Sequence, residues 1–461
     1  MYTLPNKLKL FAIIFMVVGA VGIISGFLNA PGTTAEVKEM LAAHDDGHGS
    51  EADHGEGASE DAHGNDAHGD AKEAHGDGED AHADEEKHLE HVLGQMQNRP
   101  WSALYIASFF FFMIALGTLA FYAIQYASQA GWSPVLFRIM EGITAYLPWA
   151  SVIIFGLLLV SVFHGNHIFH WMDPELVNPE SDDYDKLIAN KSGWLNTTRF
   201  LIFSAVYLLG WNLYRWYTRR LSVRLDEANA QEGASIFKKL FKFSAGFLVF
   251  FIVTESMMSW DWIMSFDPHW FSTLFGWYVF AGMMVCAITV IALITIILKG
   301  QGYLEFVNDS HIHDLAKFMF AFSIFWTYLW FSQSMLIWYA NIPEEVTYFV
   351  TRIEDYKLPF FGMLAMNFIF PVLLLMNSDY KRVNWFVVMT GIVILAGHYV
   401  DVFNMVMPAT VGTQWFIGIP EIGSILFFFG LFVFVVFTAI SKKPLLAKSN
   451  PFIKESKHFH Y

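Results

Sequence analysis

The chain has 461 residues, of which 55% are hydrophobic and only 15% are charged. That composition is too apolar for a soluble protein of this length, so it indicates an integral membrane protein. The single cysteine, Cys286, lies within an apolar stretch, which excludes a disulfide, a cysteine-ligated iron–sulfur cluster and a covalently attached haem within the chain. The net charge of −15 comes mostly from one acidic loop and says little about the membrane body.

Ten apolar stretches of about 20 residues, the length that crosses a hydrocarbon core of about 30 Å, follow one another along the chain. Because backbone groups in lipid have no water to bond, these stretches are predicted to be helices. The sequence therefore predicts an all-α integral membrane protein with ten transmembrane helices, the first of which is retained as an anchor. The predicted spans cover residues 8–28, 102–127, 141–163, 197–217, 240–262, 271–298, 315–339, 358–377, 383–406 and 418–440.

The distribution of Lys and Arg predicts the orientation. With the N-terminus inside, the inner segments hold 19 of the 28 Lys and Arg, and the outer segments hold nine. Positively charged loops tend to stay in the cytoplasm. We therefore expect both termini to be cytoplasmic.

Residues 30–98, between the first and second predicted spans, have the most unusual composition in the chain. They contain 19 Asp and Glu, nine of the 18 histidines and three Lys. Such a segment buries too little apolar surface to offset the entropy of ordering it, so we predict a disordered outer loop. The alternative is a weak trap for divalent metal ions or a reservoir of exchangeable protons, because imidazole and carboxylate groups bind both. No ligand spacing predicts a fixed metal site.

Three histidines at a spacing of three follow the third predicted span, in "SVFHGNHIFHWMDPE". If the helix continues, His164, His167 and His170 spread over about 120° of one face. The simplest interpretation is a helix end that faces water or lipid headgroups. Proton handling beside a bound ligand is the functional alternative. Ligation of a haem or another metal is not favoured, because the only histidine well within another span is His398.

Two aspartate–proline pairs, in "WMDPE" and "SFDPHW", have the pattern of a helix N-cap followed by proline at the first helical position. On this interpretation Asp173 begins a short interfacial helix and Asp267 begins the sixth span. Both aspartates then have a structural role.

Ionisable side chains within predicted spans are the strongest functional signal, because a charge in lipid is costly and is usually paired or kept for function. Glu255 and Asp261 lie in the fifth span, and "LAGHYVDVFNM" places further polar groups at steps of three along one flank of the ninth. Most of these groups fall in the outer half, and Glu141 is the main inner candidate. The candidates for a proton path are His164, His167, His170, Glu255, Asp261, His398, Asp401, Asn404 and Glu141.

A cluster of carboxylates and imidazoles on the outer side suits quinol oxidation. Two protons leave as a quinol loses its electrons, and a carboxylate or neutral histidine within hydrogen-bond reach can accept each one. Met257, Met258, Trp260 and Trp262 could line an apolar slot for the ring, or could equally be ordinary packing residues.

The ten spans, the long outer loop after the first and two motifs carry a family resemblance. The motifs are "ESMMSWDWIMSFDPHWFSTLFGWYVFAG" and "HGNHIFHWMDPE". Together they resemble the F subunits of alternative complex III, a bacterial quinol:cytochrome c oxidoreductase, which are NrfD-like proteins similar to the membrane subunit of polysulfide reductase. The resemblance covers residues 100–440, and the D-P-H-W-F-S-T stretch is its most specific part.

The resemblance implies two four-helix bundles, formed by spans two to five and six to nine and flanked by spans one and ten. It is consistent with five segments and with a location in the bacterial inner membrane. The segments are an N-terminal transmembrane anchor over 1–29, the outer loop over 30–98, the first bundle over 99–265, the second bundle over 266–410, and the last helix with a cytoplasmic tail over 411–461.

The same resemblance implies a subunit without a redox centre of its own. The complex oxidises menaquinol and passes the electrons to iron–sulfur clusters and c-type haems on partner subunits. The expected partners are the NrfD-like C subunit, the iron–sulfur subunit, the c-type cytochromes, a terminal haem–copper oxidase and lipid, and no nucleic acid. The C subunit holds the established quinol site, whereas the F subunit is more often assigned a structural or proton-conducting role. This chain is therefore expected to conduct protons, to contribute to the structure of a menaquinol pocket, or both, and no quinone-binding residue is assigned.

Two other functions remain open. A secondary transporter also needs intramembrane acids and bundle repeats, but it is expected to have paired broken spans, and only Pro371 interrupts a span in that way. A purely architectural subunit would use its polar residues only to satisfy one another.

Overall fold

The computed structural model describes residues 2–45, 79–181 and 183–460. In these residues the chain is all-helical, and no β-strand occurs among them. The α-helices are α1 (Asn6–Leu28), α2 (Thr34–Asp45), α3 (Glu79–Ala127), α4 (Phe137–Ile143), α5 (Leu147–Val162), α6 (Lys186–Asn190), α7 (Thr197–Glu227), α8 (Ala230–Trp262), α9 (Phe275–Gly300), α10 (Asp309–Ala340), α11 (Pro343–Glu354), α12 (Lys357–Leu364), α13 (Phe370–Leu375), α14 (Asn384–Val411), α15 (Ile419–Ile440) and α16 (Ile453–Lys457).

The prediction of an all-α membrane protein with several membrane-crossing helices is confirmed. Each predicted span corresponds to a helical stretch, but α3, α7 and α8 extend well beyond the predicted bounds. Among the described residues, eight stretches are long and apolar enough to cross a membrane. They lie on α1, α3, α4 with α5, α9, α10, α12 with α13, α14 and α15. The helices α7 and α8 have 31 and 33 residues but do not qualify by composition.

Helix α3 is the central helix of the structure. In its most apolar stretch of 18 residues, 94% of the residues are buried. On one side α3 packs against α5 and α8, while α7 contacts both of these helices. On the other side α3 packs against α9 and α14, and α10 and α13 complete a second group of contacts with them. Helix α15 lies against α3 and α1.

Helices α1 and α15 pack at very short range because glycines line their contact. A Cβ atom on Gly19 would lie 2.3 Å from the backbone nitrogen of Phe427, and one on Gly423 would lie 2.8 Å from the Cα atom of Gly22. Small residues at a helix interface allow close backbone approach, which is how helices associate where lipid removes the hydrophobic driving force.

The segment 30–98, predicted to be a disordered outer loop, contains helix at both ends. Helix α2 occupies Thr34–Asp45, and α3 begins at Glu79, well before the predicted span. The two helices contact each other, and Lys38 Nζ lies 2.7 Å from Glu85 Oε1. The remainder of the predicted loop, residues 46–78, lies outside the described residues.

Candidate functional site

Glu141, the inner candidate, lies at the centre of a saturated ionic network. Arg138 Nη1 donates to its Oε2 at 2.6 Å and the Tyr122 hydroxyl donates to its Oε1 at 2.9 Å. Arg219 and Ser222 on α7 also donate to this carboxylate. Glu141 is 5% exposed. Because all of these neighbours donate hydrogen bonds to it, the carboxylate has no free position for proton exchange. The network holds α4 against α7.

Asp261 at the end of α8 is similarly held. Arg199 Nη1 donates to its Oδ1 at 2.7 Å, and the Tyr207 hydroxyl donates to its Oδ2 at 2.9 Å. The Arg199 guanidinium also lies over the Trp194 ring at 3.5 Å from the centroid. The buried Asp261 carboxylate and the Arg199 guanidinium form an ion pair. This ion pair joins α7 to α8.

The histidine trio lies beyond the C-terminal end of α5, and the helix does not continue through it. Helix α5 ends at Val162, His164 has a left-handed backbone with φ of 57°, and His170 begins a short 3₁₀ helix. The expectation that the three share one helix face is therefore wrong. All three side chains are exposed, consistent with histidines that face water or headgroups.

The two aspartate–proline motifs behave differently. Asp173 accepts a hydrogen bond from the Glu175 N–H and caps the 3₁₀ helix Pro174–Val177, as predicted. Asp267 does not begin the next span, because α9 starts only at Phe275.

The outer loops that carry these motifs are joined by two contacts. Lys191 Nζ donates to the Pro268 carbonyl at 2.6 Å, and His269 Nε2 lies 2.5 Å from Asp185 Oδ2. Burial raises the pKa of the Asp185 carboxyl, but backbone N–H groups at the start of α6 and the His269 side chain together lower the pKa below its ordinary value. The D-P-H-W stretch is thus part of the contacts that hold these loops together.

An apolar cleft of about 300 Å³ lies beside these loop contacts. Among its walls are Trp194, Trp260, Met264 and Trp270. Of the four residues that the sequence offers for an apolar slot, Trp260 lines the cleft, whereas Trp262 is fully buried and donates to Ser204 at 2.8 Å.

The polar stripe on α14 forms the most concentrated buried polar cluster that the sequence predicts. Asp401 is 2% exposed and His398 is fully buried. Trp326 Nε1 on α10 donates to Asp401 Oδ2 at 2.9 Å, and the Tyr278 hydroxyl on α9 donates to Oδ1. His398 Nδ1 lies 3.4 Å from Asp401 Oδ2. Among the described residues, His398 Nε2 has no hydrogen-bond partner.

A buried arginine that the sequence analysis missed lies near this cluster. Arg352 on α11 is 3% exposed, and its Nε donates to the Asn404 carbonyl at 3.0 Å. Its guanidinium lies over the Tyr348 ring at 3.3 Å from the centroid, and that ring stacks on Trp270 at 3.8 Å. The motif that carries the family resemblance therefore supports the position of Arg352 through two aromatic rings.

Asp401, Asn404 and Arg352 border one small cavity of about 20 Å³, together with Tyr278 and Gln333. Two polar atoms from residues at its wall, Arg352 Nη2 and Asn404 Oδ1, have no partner within the described part of the chain. The cavity thus lies inside the second group of helices, and its largely apolar wall includes a few polar side chains.

Glu255 on α8 is the remaining acid of the predicted set. It is 2% exposed, and its Oε1 has no hydrogen-bond partner among the residues that the structure covers. In contrast to Glu141 and Asp261, it makes no salt bridge with a described residue. Glu255 is therefore a buried acid with a free oxygen.

Five partners were not predicted, because each belongs to a different segment from the acid or amide that it contacts. They are Arg199, Arg219, Tyr278, Trp326 and Arg352. Arg352 had one available signal: it is the only arginine between the seventh and eighth predicted spans. No group of three side chains suited to hold a metal ion occurs within residues 2–45, 79–181 and 183–460. Comparison with known protein families and with curated proteins finds no match to this chain.

Proposed function

We propose that all ten predicted spans cross the membrane as two four-helix bundles flanked by α1 and α15. The pairs α3 with α5, α5 with α7, α7 with α8 and α8 with α3 close one ring of contacts, which supports the first bundle. The contacts of α9, α10, α13 and α14 support the second. Exposed apolar side chains on α7 and α8, such as Leu209 and Val249, suit contact with lipid. Both termini are cytoplasmic in this proposal.

We further propose that the chain is a proton-conducting membrane subunit of a respiratory quinol:cytochrome c oxidoreductase of the alternative complex III type. The single observation that carries the proton-conducting role is the buried His398–Asp401 pair, whose Asp401 borders a small cavity. The type of complex rests on the sequence resemblance. Ionisable groups buried among the helices of a membrane protein are typical of proton relays. Glu255 is the corresponding group of the first bundle.

In this proposal only some of the predicted proton-path candidates move protons. Glu141 and Asp261 are held by arginines and join helices, while His398, Asp401 and Glu255 retain unpaired positions or border the cavity. The 300 Å³ cleft beside Trp260 has apolar walls suited to a quinol ring. Redox cofactors and the terminal oxidase belong to partner subunits in this proposal.

We expect Asp401→Asn and Glu255→Gln each to lower steady-state quinol oxidation about 100-fold, because a positioned acid–base group contributes roughly that factor. The assay reduces cytochrome c with a water-soluble quinol analogue and follows proton release with a pH indicator. The control is Glu344→Gln, which removes an exposed acid on α11. Assembly is checked by the haem absorbance of the purified complex.

Two results would redirect the proposal. Wild-type rates in both variants, with the complex intact, would favour a purely architectural subunit. Purification of the chain alone from its native membrane, without haem absorbance, would instead favour a secondary transporter.

A further inference from the structure

The end of α7 and the start of α8 carry a group of exposed cations. Residues 215–242, which join the two helices, contain seven Arg and Lys against three Asp and Glu. Three of the cations, Arg220, Lys239 and Lys242, are exposed and form no ion pair with a described residue. We call these three residues the cationic cluster.

The nearby acids are occupied by other arginines. Asp226 pairs with Arg138, and Glu232 pairs with Arg224. The cationic cluster therefore keeps its positive charge available for a ligand.

Contacts between side chains fix how α7 and α8 are aligned. Trp211 Nε1 donates to Thr254 Oγ1 at 3.0 Å, and two turns further along α7 the Tyr217 ring lies 4.5 Å from the Phe243 ring. Contacts that advance along α7 and go back along α8 show that the two helices are antiparallel.

This alignment brings the cationic cluster to one level. Arg220 comes three residues after Tyr217, and Lys242 and Lys239 come one and four residues before Phe243. At 1.5 Å per residue, the three cations lie within about one helical turn of one another along the helix axes. They flank the contact between the Tyr217 and Phe243 rings on its inner side.

The exposed surface of both helices changes from apolar to cationic at this level. On α7 the exposed side chains of Leu213 and Trp216 precede Arg220 at helical spacing. On α8 the exposed Val249 and Phe243 lie on the membrane side of the two lysines. A single molecule that contacts both parts of this surface needs an apolar chain and an anionic head.

We propose that this surface binds one anionic phospholipid of the inner leaflet, with its phosphate at the cationic cluster and an acyl chain along Leu213 and Val249. Basic residues between helices on the cytoplasmic side of a membrane recognise such headgroups. The Arg220 guanidinium also lies over the Trp216 ring, 4.3 Å from its centroid, and tryptophan is enriched at headgroup level. The inference rests on the membrane crossing of α7 and α8 proposed above and is independent of proton conduction.

Native mass spectrometry of the full chain in neutral detergent micelles measures this binding. The probes are dioleoyl phosphatidylglycerol, which is anionic, and dioleoyl phosphatidylcholine, which has no net charge. We expect wild type to be half-saturated by the anionic lipid at a concentration about 100-fold lower, because each of three cations contributes about fivefold. The triple variant Arg220→Gln/Lys239→Gln/Lys242→Gln should lose this preference.

The matched control is Lys442→Gln/Lys443→Gln/Lys448→Gln. It removes three exposed lysines that follow α15 and gives the same net charge, so it should keep the preference. Equal half-saturation of wild type by the two lipids would overturn the inference whether or not the first triple variant folds. An equal loss in both triple variants would also overturn it, because net charge alone would then attract the lipid. Full affinity in the first triple variant would refute the cationic cluster as the site.

A separate experiment tests the membrane crossing. Ser235→Cys places an exposed thiol near the start of α8, and a membrane-impermeant maleimide should label it in inside-out vesicles but not in intact cells. Labelling in intact cells would contradict the proposed crossing and this inference together. Labelling only in inside-out vesicles, without a preference for the anionic lipid, would contradict this inference alone.

Discussion

Replacing Glu141 with alanine is expected to lower the free energy of unfolding by about 3–5 kcal/mol, the cost of leaving a buried charge without its partner. Glu141 is 5% exposed and accepts hydrogen bonds from Arg138, Arg219, Tyr122 and Ser222. After the substitution Arg138 still has Asp226, but Arg219 has lost its only ion-pair partner among the described residues. Unfolding in mixed detergent micelles, followed by circular dichroism, measures the change.

The matched control is Glu232→Ala, which removes an exposed salt bridge to Arg224 and should cost no more than about 1 kcal/mol. The double variant Glu141→Ala/Arg219→Met should recover part of the loss, because it removes the stranded charge as well. An unchanged unfolding curve for Glu141→Ala would show that the network does not stabilise the junction of α4 and α7.

Substitution of Gly19 by valine is expected to separate α1 from α15. A Cβ atom at this position would lie 2.3 Å from the Phe427 backbone nitrogen, and a backbone atom cannot rotate away as a side chain can. We expect a loss of about 3 kcal/mol, the upper end of the usual cost of overpacking. Disulfide cross-linking of a Phe15→Cys/Phe429→Cys pair, whose parent rings are 5.8 Å apart, should become much slower.

The control for this steric effect is Gly246→Val on α8, because a Cβ atom there meets nothing within 4 Å. It carries the same change in helix propensity without the clash. Equal cross-linking rates in Gly19→Val and in the parent pair would mean that α1 is not held by close glycine packing.

The helical stretches and the membrane class can be predicted from the amino-acid sequence, because the requirement to satisfy backbone groups in lipid leaves a clear length and hydropathy pattern. The sequence also identified Glu255, His398 and Asp401 as buried polar groups, since intramembrane charges are rare enough to stand out. The three-residue spacing of the histidine trio resembles a helical repeat and so does not reveal where the helix ends; the chain turns at His164, with φ of 57°.

Which acids are paired depends on how the helices pack against one another. In the sequence, Glu141, Asp261 and Glu255 are all acids within predicted spans. Helix α7 brings Arg219 to Glu141 and Arg199 to Asp261. No described cation pairs with Glu255. The position of Arg352 at the same cavity as Asp401 depends on α11 folding against α14, across about 50 residues of chain. Partners of this kind are set by packing between helices, and the free energy of a buried charge depends on those partners rather than on its neighbours in sequence.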